Sequence, residues 1–194
     1  MVKKIVILGP ESTGKSTLCA QLADYFDTRW VKEYAREYLL THGTAYAFDD
    51  LLEIARGQAR LEDEVVASLQ NLQINNGKKM DTIPQGVENP YELVFIDTNM
   101  YVIKVWSEFV FGKCHQWILD EIVERKYDLY LLCDIDLPWV KDELREYPDP
   151  SVREKLYLHY KDIMVNQVVP WVNITGQYEE RLKVAIKAIN QLTN

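Results

Sequence analysis

The sequence predicts an α/β protein, a three-layer αβα sandwich around an open parallel sheet of about five strands. Short apolar runs each stop at a polar position: residues 5–8 at Gly9, residues 93–96 at Asp97, residues 130–133 at Asp134. Between these runs apolar residues recur at helical spacing, and a strand reads as a continuous apolar run when helices cover both of its faces.

Residues 5–8, Ile-Val-Ile-Leu, form the first strand and end in Gly9-Pro10. A helix starts near Lys15, because Leu18, Leu22 and Phe26 recur every four residues and so share one face. Trp30 and Val31 make a short second strand, and residues 34–40 a helix broken at His42-Gly43. The longest helix opens at Asp50, with Glu53 three residues on as in a capping box, and continues through Leu51, Ile54, Ala55, Leu61, Val65, Leu69 and Leu72. Residues 71–91 then turn polar, with Asn75-Asn76-Gly77, Lys78-Lys79, Pro84, Gly86 and Pro90, and are expected to form a surface insertion. After the strand at 93–96 come helices at 101–111 and 115–124, and then the strand at 130–133. A last strand at 171–174 leads through Thr175-Gly176 into a helix with Leu182, Ala185, Ile186, Ile189 and Leu192 on one side. No internal repeat is visible, and a single domain over 1–194 accounts for the length.

The net charge of -8 opposes a polyphosphate backbone, so DNA and RNA are not expected as partners. A mononucleotide escapes that objection, since a few placed cations and backbone N–H groups suffice to hold it. Cys19, Cys114 and Cys133 lack metal-ligand spacing, sit in apolar stretches and read as reduced core thiols. The apolar run at 5–8 is too short for a signal segment or a membrane span, and a cytoplasmic location is expected. Oligomeric state stays open.

Ligands of an open parallel sheet bind at the carboxyl ends of its strands. There, Gly9, Pro10, Glu11, Ser12, Thr13, Gly14, Lys15 and Ser16 match G-x-x-x-x-G-K-[ST] between a strand and a helix, which makes the fold a P-loop NTPase. The glycines let successive N–H groups converge on phosphate, Lys15 reaches the β- and γ-phosphates of ATP, Ser16 serves Mg²⁺, and Thr17 supports the first helical turn. Asp97, at a strand end, is placed to hold Mg²⁺ or to activate an acceptor hydroxyl; the alternative is a helix cap. For Asp134 and Asp136, capping or turn duty is favoured. Glu33 is a candidate to take or bind a ribose hydroxyl, with Trp30 and Tyr34 as flat surfaces for a base and Arg36 and Tyr101 nearby. Arg145 and Arg153 belong to a candidate lid at about 138–153 that would bring a cation to the transferring phosphate. Gly176 is positioned to meet a purine edge.

Gly-Pro-Glu-Ser-Thr-Gly-Lys-Ser, Glu33-Tyr34-Ala35-Arg36-Glu37, Phe95-Ile96-Asp97-Thr98 and Pro138-Trp139-Val140 with Asp142, Leu144 and Arg145 together resemble the ribosylnicotinamide kinase domain of the NadR family. The resemblance runs from Lys3 to about Leu192. It implies transfer of phosphate from ATP to the 5′-hydroxyl of nicotinamide riboside, giving nicotinamide mononucleotide. It further implies that Gly14, Lys15 and Ser16 bind ATP and Mg²⁺, that Asp97 serves acceptor or metal, and that residues 33–36 line the riboside pocket. Lys32 stands where that family often has Trp, Asn99 where it commonly has a second Asp, and the chain leaves no room for the adenylyltransferase or helix-turn-helix domains of some relatives. Two alternatives stay open: a kinase for another nucleoside or a nucleoside monophosphate, and a nucleotide-dependent switch with no small-molecule acceptor.

Overall fold

The computed structural model describes residues 2–76 and 93–193. In chain order they form β1 (Lys3–Leu8), α1 (Lys15–Tyr25), β2 (Arg29–Val31), α2 (Tyr34–His42), α3 (Phe48–Asn76) and β3 (Leu93–Asp97). There follow α4 (Met100–Phe111), α5 (Gln116–Glu124), β4 (Leu129–Cys133), α6 (Pro150–Val165), β5 (Trp171–Ile174) and α7 (Tyr178–Thr193). The described strands make one sheet in the order β2-β3-β1-β4-β5, and every neighbouring pair is parallel.

The period of two along β1 explains its uninterrupted apolar run. Ile5 and Ile7 pack with Leu18 and Leu22 of α1 and Ala185 and Ile189 of α7. Val6 and Leu8 face the opposite way, against Leu69 of α3, Val102 of α4, and Leu156 and Tyr160 of α6. These are the three layers, with the sheet between two helical ones. A third cluster joins α2 to α3, α4 and α5 through Ala35, Leu51, Ile54, Ile103 and Ile118. Register then fixes the functional edge: Ile7 pairs with Asp97, so the end of β3 lies beside the loop that leaves β1.

Several elements differ from the expectations. The sequence reading leaves α6 unassigned, and the last residues of the candidate lid, 150–153, are its first turn, where Asp149 Oδ1 accepts from Ser151 N at 2.8 Å and Pro150 stands at the helix start. The long helix begins at Phe48; Asp50 instead closes the preceding turn, accepting from Ala47 N and from the Tyr38 hydroxyl, each at 2.6 Å. Of the expected insertion at 71–91, residues 71–76 continue α3 and the remainder lies outside the described residues. Cys19 and Cys133 are buried as expected, whereas Cys114 is only half-buried. Among the described residues no helix is long and apolar enough to cross a membrane.

Candidate functional site

The loop from Gly9 to Gly14 bends sharply because its residues tolerate it. Gly9 has φ 138°, and a Cβ there would stand 2.6 Å from the Cys133 carbonyl oxygen, so only glycine lets the loop pass so close to β4. Ser12 is held in the left-handed region at φ 58°, a strain that tends to collect at functional loops. Buried Thr13 donates its hydroxyl to the Pro10 carbonyl at 2.7 Å, and Lys15 Nζ donates to the same oxygen at 3.0 Å. No side chain caps α1 and no acid sits in its first turn, which leaves the helix N-terminal amides to an anion.

Asp97 is fully buried, and neither carboxylate oxygen has a hydrogen-bond partner among the described residues. Burial, and then the nearby Glu33 charge, push it up to about 7, while Lys15 and the Ser16 hydroxyl pull the other way. The capping alternative falls away, since Asn99 caps α4 by accepting from Tyr101 N at 3.2 Å. Glu33 precedes α2 and accepts from the Thr98 hydroxyl at 3.3 Å. Both acids are set by Gln58 of α3, a buried residue that the sequence reading missed. Its amide nitrogen donates to the Lys32 carbonyl at 3.2 Å and the Asp97 carbonyl at 3.4 Å, and its oxygen accepts from Tyr34 N at 2.8 Å.

A cavity of about 640 Å³ joins these groups. Gly9, Glu11, Ser12, Thr13, Gly14, Lys15, Ser16 and Thr17 line one side of it, and Trp30, Glu33, Arg36, Asp97 and Arg145 line the other walls. The sequence reading also missed the rings of Trp106, Phe109, Tyr147 and Tyr160, contributed by α4, the segment before α6, and α6. No local motif announces them, because they converge only in the tertiary fold.

Four expected site residues lie elsewhere. The Tyr34 ring fills the space over Gly57, where a Cβ would come within 2.0 Å of it. Tyr101 turns to Tyr130, ring centroids 5.9 Å apart, and does not border the cavity. Arg153 is buried behind the loop, with Nη2 at 3.4 Å from both the Ser12 and the Leu137 carbonyls. Gly176 is occupied by Asp136, whose Oδ2 accepts from its N–H at 2.6 Å.

Glu11, in the same loop, bonds the segment ahead of α6. Its Oε1 accepts from Tyr147 N at 2.6 Å and Trp139 Nε1 at 3.2 Å, and its Oε2 accepts from Glu146 N at 3.0 Å. Ser12 Oγ accepts from Val140 N at 2.9 Å. Residues 139–147 are therefore seated on the phosphate loop, and Arg36 ties them to α2 through a two-pronged pair with Asp142 at 2.9 and 3.2 Å. Arg145 folds onto its own segment, donating to the Val140 carbonyl.

The family described as AAA domain matches residues 4–181. The chain is 25% identical over 196 residues to the Trifunctional NAD biosynthesis/regulator protein NadR of Escherichia coli (strain K12), covering 98% of this chain and 43% of that protein. The Salmonella typhimurium (strain LT2) protein of the same name gives the same identity and coverage, so the chain spans less than half the length of these relatives. Among solved structures, NadR in complex with NR superposes with a TM-score of 0.69 at 21% identity, over 99% of this chain and 50% of that one. NadR with NAD and AMP-PNP gives a TM-score of 0.69 at 21% identity, over 99% and 49% of the two chains. Thymidylate kinase from Ehrlichia chaffeensis gives 0.64 at 14% identity, over 97% and 98% of the two chains. These likenesses establish a P-loop kinase-type fold.

Proposed function

This chain belongs to the AAA domain family, and we propose on that footing that it transfers the γ-phosphoryl group of ATP to the 5′-hydroxyl of a nucleoside, with nicotinamide riboside as the acceptor. The observation that carries the reading is a single cavity bordered both by the phosphate loop with Lys15 and by the buried, unpartnered carboxylate of Asp97. A donor phosphate and an acceptor hydroxyl can meet there in line, and most of the catalysis is positioning and charge stabilisation. The names of the relatives, which speak of NAD biosynthesis and of a complex with NR, support the choice of acceptor.

Lys15 would leave the Pro10 carbonyl for the β- and γ-phosphates, and the amides of residues 12–16 would hold them. Ser16 and Asp97 fit Mg²⁺, because two buried carboxylate oxygens lacking partners beside a serine hydroxyl are the oxygen donors a hard cation takes. When bound, the ion neutralises charge on the β and γ oxygens. Glu33, at the acceptor end, would orient the ribose hydroxyl. The rings of Trp30, Trp106, Phe109 and Tyr160 would exclude water and cover the base.

A second reading keeps the chemistry and takes a phosphorylated acceptor, favoured by Lys32, which lines the cavity with its Nζ 6.0 Å from the Trp30 ring centroid. Incubation with Mg-ATP and a panel of ribosides and nucleoside monophosphates, followed by ADP release and product mass, ranks the acceptors. Nicotinamide riboside should give the highest kcat/KM, and a nucleoside monophosphate above it would establish the second reading. Lys15→Ala should lower turnover by about 10²-fold or more with an unchanged far-UV spectrum. Acceptor-dependent turnover surviving in that variant would refute the mechanism.

A further inference from the structure

We infer that Arg181 is a positioning residue for the phosphate site, its buried guanidinium holding the Thr13 carbonyl so that the next amide, Gly14 N–H, is turned to the side where phosphate binds. This rests on reading residues 9–16 as the cradle of a nucleoside triphosphate.

Arg181 stands in the first turn of α7, is 2% exposed, and is among the largest fully buried side chains of the protein. Its planar fork reaches three loops at the carboxyl edge of the sheet. Nη1 donates to the Thr13 carbonyl at 2.8 Å, Nε to the Gly176 carbonyl at 2.7 Å and Nη2 to the Asp134 carbonyl at 3.0 Å. Nη2 also meets the Asp136 carboxylate, whose other oxygen accepts from Gly176 N at 2.6 Å. Burying a cation is costly, and here most of its partners are main-chain carbonyls, so its effect lies in where it holds them.

A peptide unit is planar and trans, so the Thr13 carbonyl and the Gly14 N–H point in opposite directions. With the carbonyl tied back to Arg181, the N–H faces the other way, and Thr13 and Gly14 both border the cavity. Arg153 repeats the device more weakly one residue earlier, with Nη2 3.4 Å from the Ser12 carbonyl. The amides are thus set before a ligand arrives, which removes part of the ordering cost of binding and lets them act without reorganisation. Nothing in the sequence marks Arg181 for this work, since it lies 168 residues from Thr13 and outside any motif.

The test compares ATP with inorganic pyrophosphate, a probe of the cradle that carries no base. Both are titrated calorimetrically into the wild-type chain, Arg181→Met, Arg181→Lys and Asp136→Asn, each well below its melting temperature. We expect Arg181→Met to weaken ATP and pyrophosphate alike by roughly tenfold or more. Arg181→Lys should lose less, and Asp136→Asn, which keeps the guanidinium and loosens one brace, least. In turnover, KM for ATP should rise while KM for the acceptor holds. Folded Arg181 variants with wild-type affinity for both ligands and only a lower melting temperature would overturn the inference. If Arg181→Met does not fold, unchanged pyrophosphate affinity in both Arg181→Lys and Asp136→Asn overturns it equally. A wild-type chain that binds ATP and pyrophosphate but phosphorylates no acceptor sinks the kinase reading alone, and one that binds neither sinks both.

Discussion

Asp97 ends β3 with both oxygens inside the protein and no partner for either among the described residues, a costly placement for an ionised carboxylate. Its rise from the ordinary 3.8 to about 7 is that cost expressed as a proton affinity. The sign follows from linkage. Below both values Asp97 is protonated in the folded and unfolded chains alike, and as pH rises the unfolded chain ionises first. The metal-free protein should therefore lose stability between about pH 4 and pH 7, and above that the loss stays constant. Asp97→Asn should flatten this slope and stabilise the metal-free protein at pH 8 by on the order of 2–4 kcal/mol. Urea melts at pH 5 and pH 8 measure it, and a variant with the wild-type slope would show that Asp97 is not the group responsible. At this scale the sequence was informative where a motif fixes spacing, as for Gly9 and Lys15, or where a buried run stops at a polar residue, as for Asp97. It was silent on Gln58 and Arg181, because a buried polar side chain on a helix has no local signature; only its partners across the fold reveal it.

Between residue and molecule lies the segment 139–147 with α6 behind it. The sequence reading takes residues 148–150 as part of the candidate lid, yet Asp149 caps α6 and Pro150 starts it, with Leu156, Tyr160 and Met164 at four-residue spacing on its buried face. The helical period was therefore present, masked by prolines that suit a helix start as well as a turn. We propose that the segment ahead of α6, held by Glu11 and by the Arg36–Asp142 pair, is a lid over the cavity. That pair is partly exposed, so it contributes under about 1 kcal/mol to stability. Its larger effect should be on closure. Asp142→Asn should leave the melting temperature within a degree or two of wild type but raise KM for the acceptor severalfold, and 0.5 M KCl should reproduce much of the change in the wild-type chain by screening. Steady-state kinetics with varied acceptor and salt measure this, and an unchanged acceptor KM would remove the pair from lid closure.

Across the whole molecule the two ends of the sheet carry different polar clusters. At the carboxyl end lie the phosphate loop, Asp97 and Arg181. Toward the amino end, Glu62 of α3 is 1% exposed and satisfied by Lys4 at 2.8 Å, Arg125 at 3.2 Å and the Tyr127 hydroxyl at 2.9 Å. The sequence conveyed the strands and the end at which ligands bind, because buried runs and their polar stops are local. It did not convey the order β2-β3-β1-β4-β5, nor that Glu62, a charged residue within a long helix, faces inward. Separating the ends gives a test of how far stability and binding divide. Removing Glu62 leaves Lys4 and Tyr127 without their buried acceptor, whereas Arg125 keeps Asp63 and Glu121. Glu62→Ala should cost about 3 kcal/mol in denaturant unfolding, a large share of the stability of a domain this size. The folded fraction should nevertheless bind ATP with wild-type affinity, since none of the groups bonded to Glu62 borders the cavity. Calorimetric titration of ATP beside urea melts decides it: a fall in affinity that tracks the fall in stability would mean that the two ends of the sheet behave as one cooperative unit.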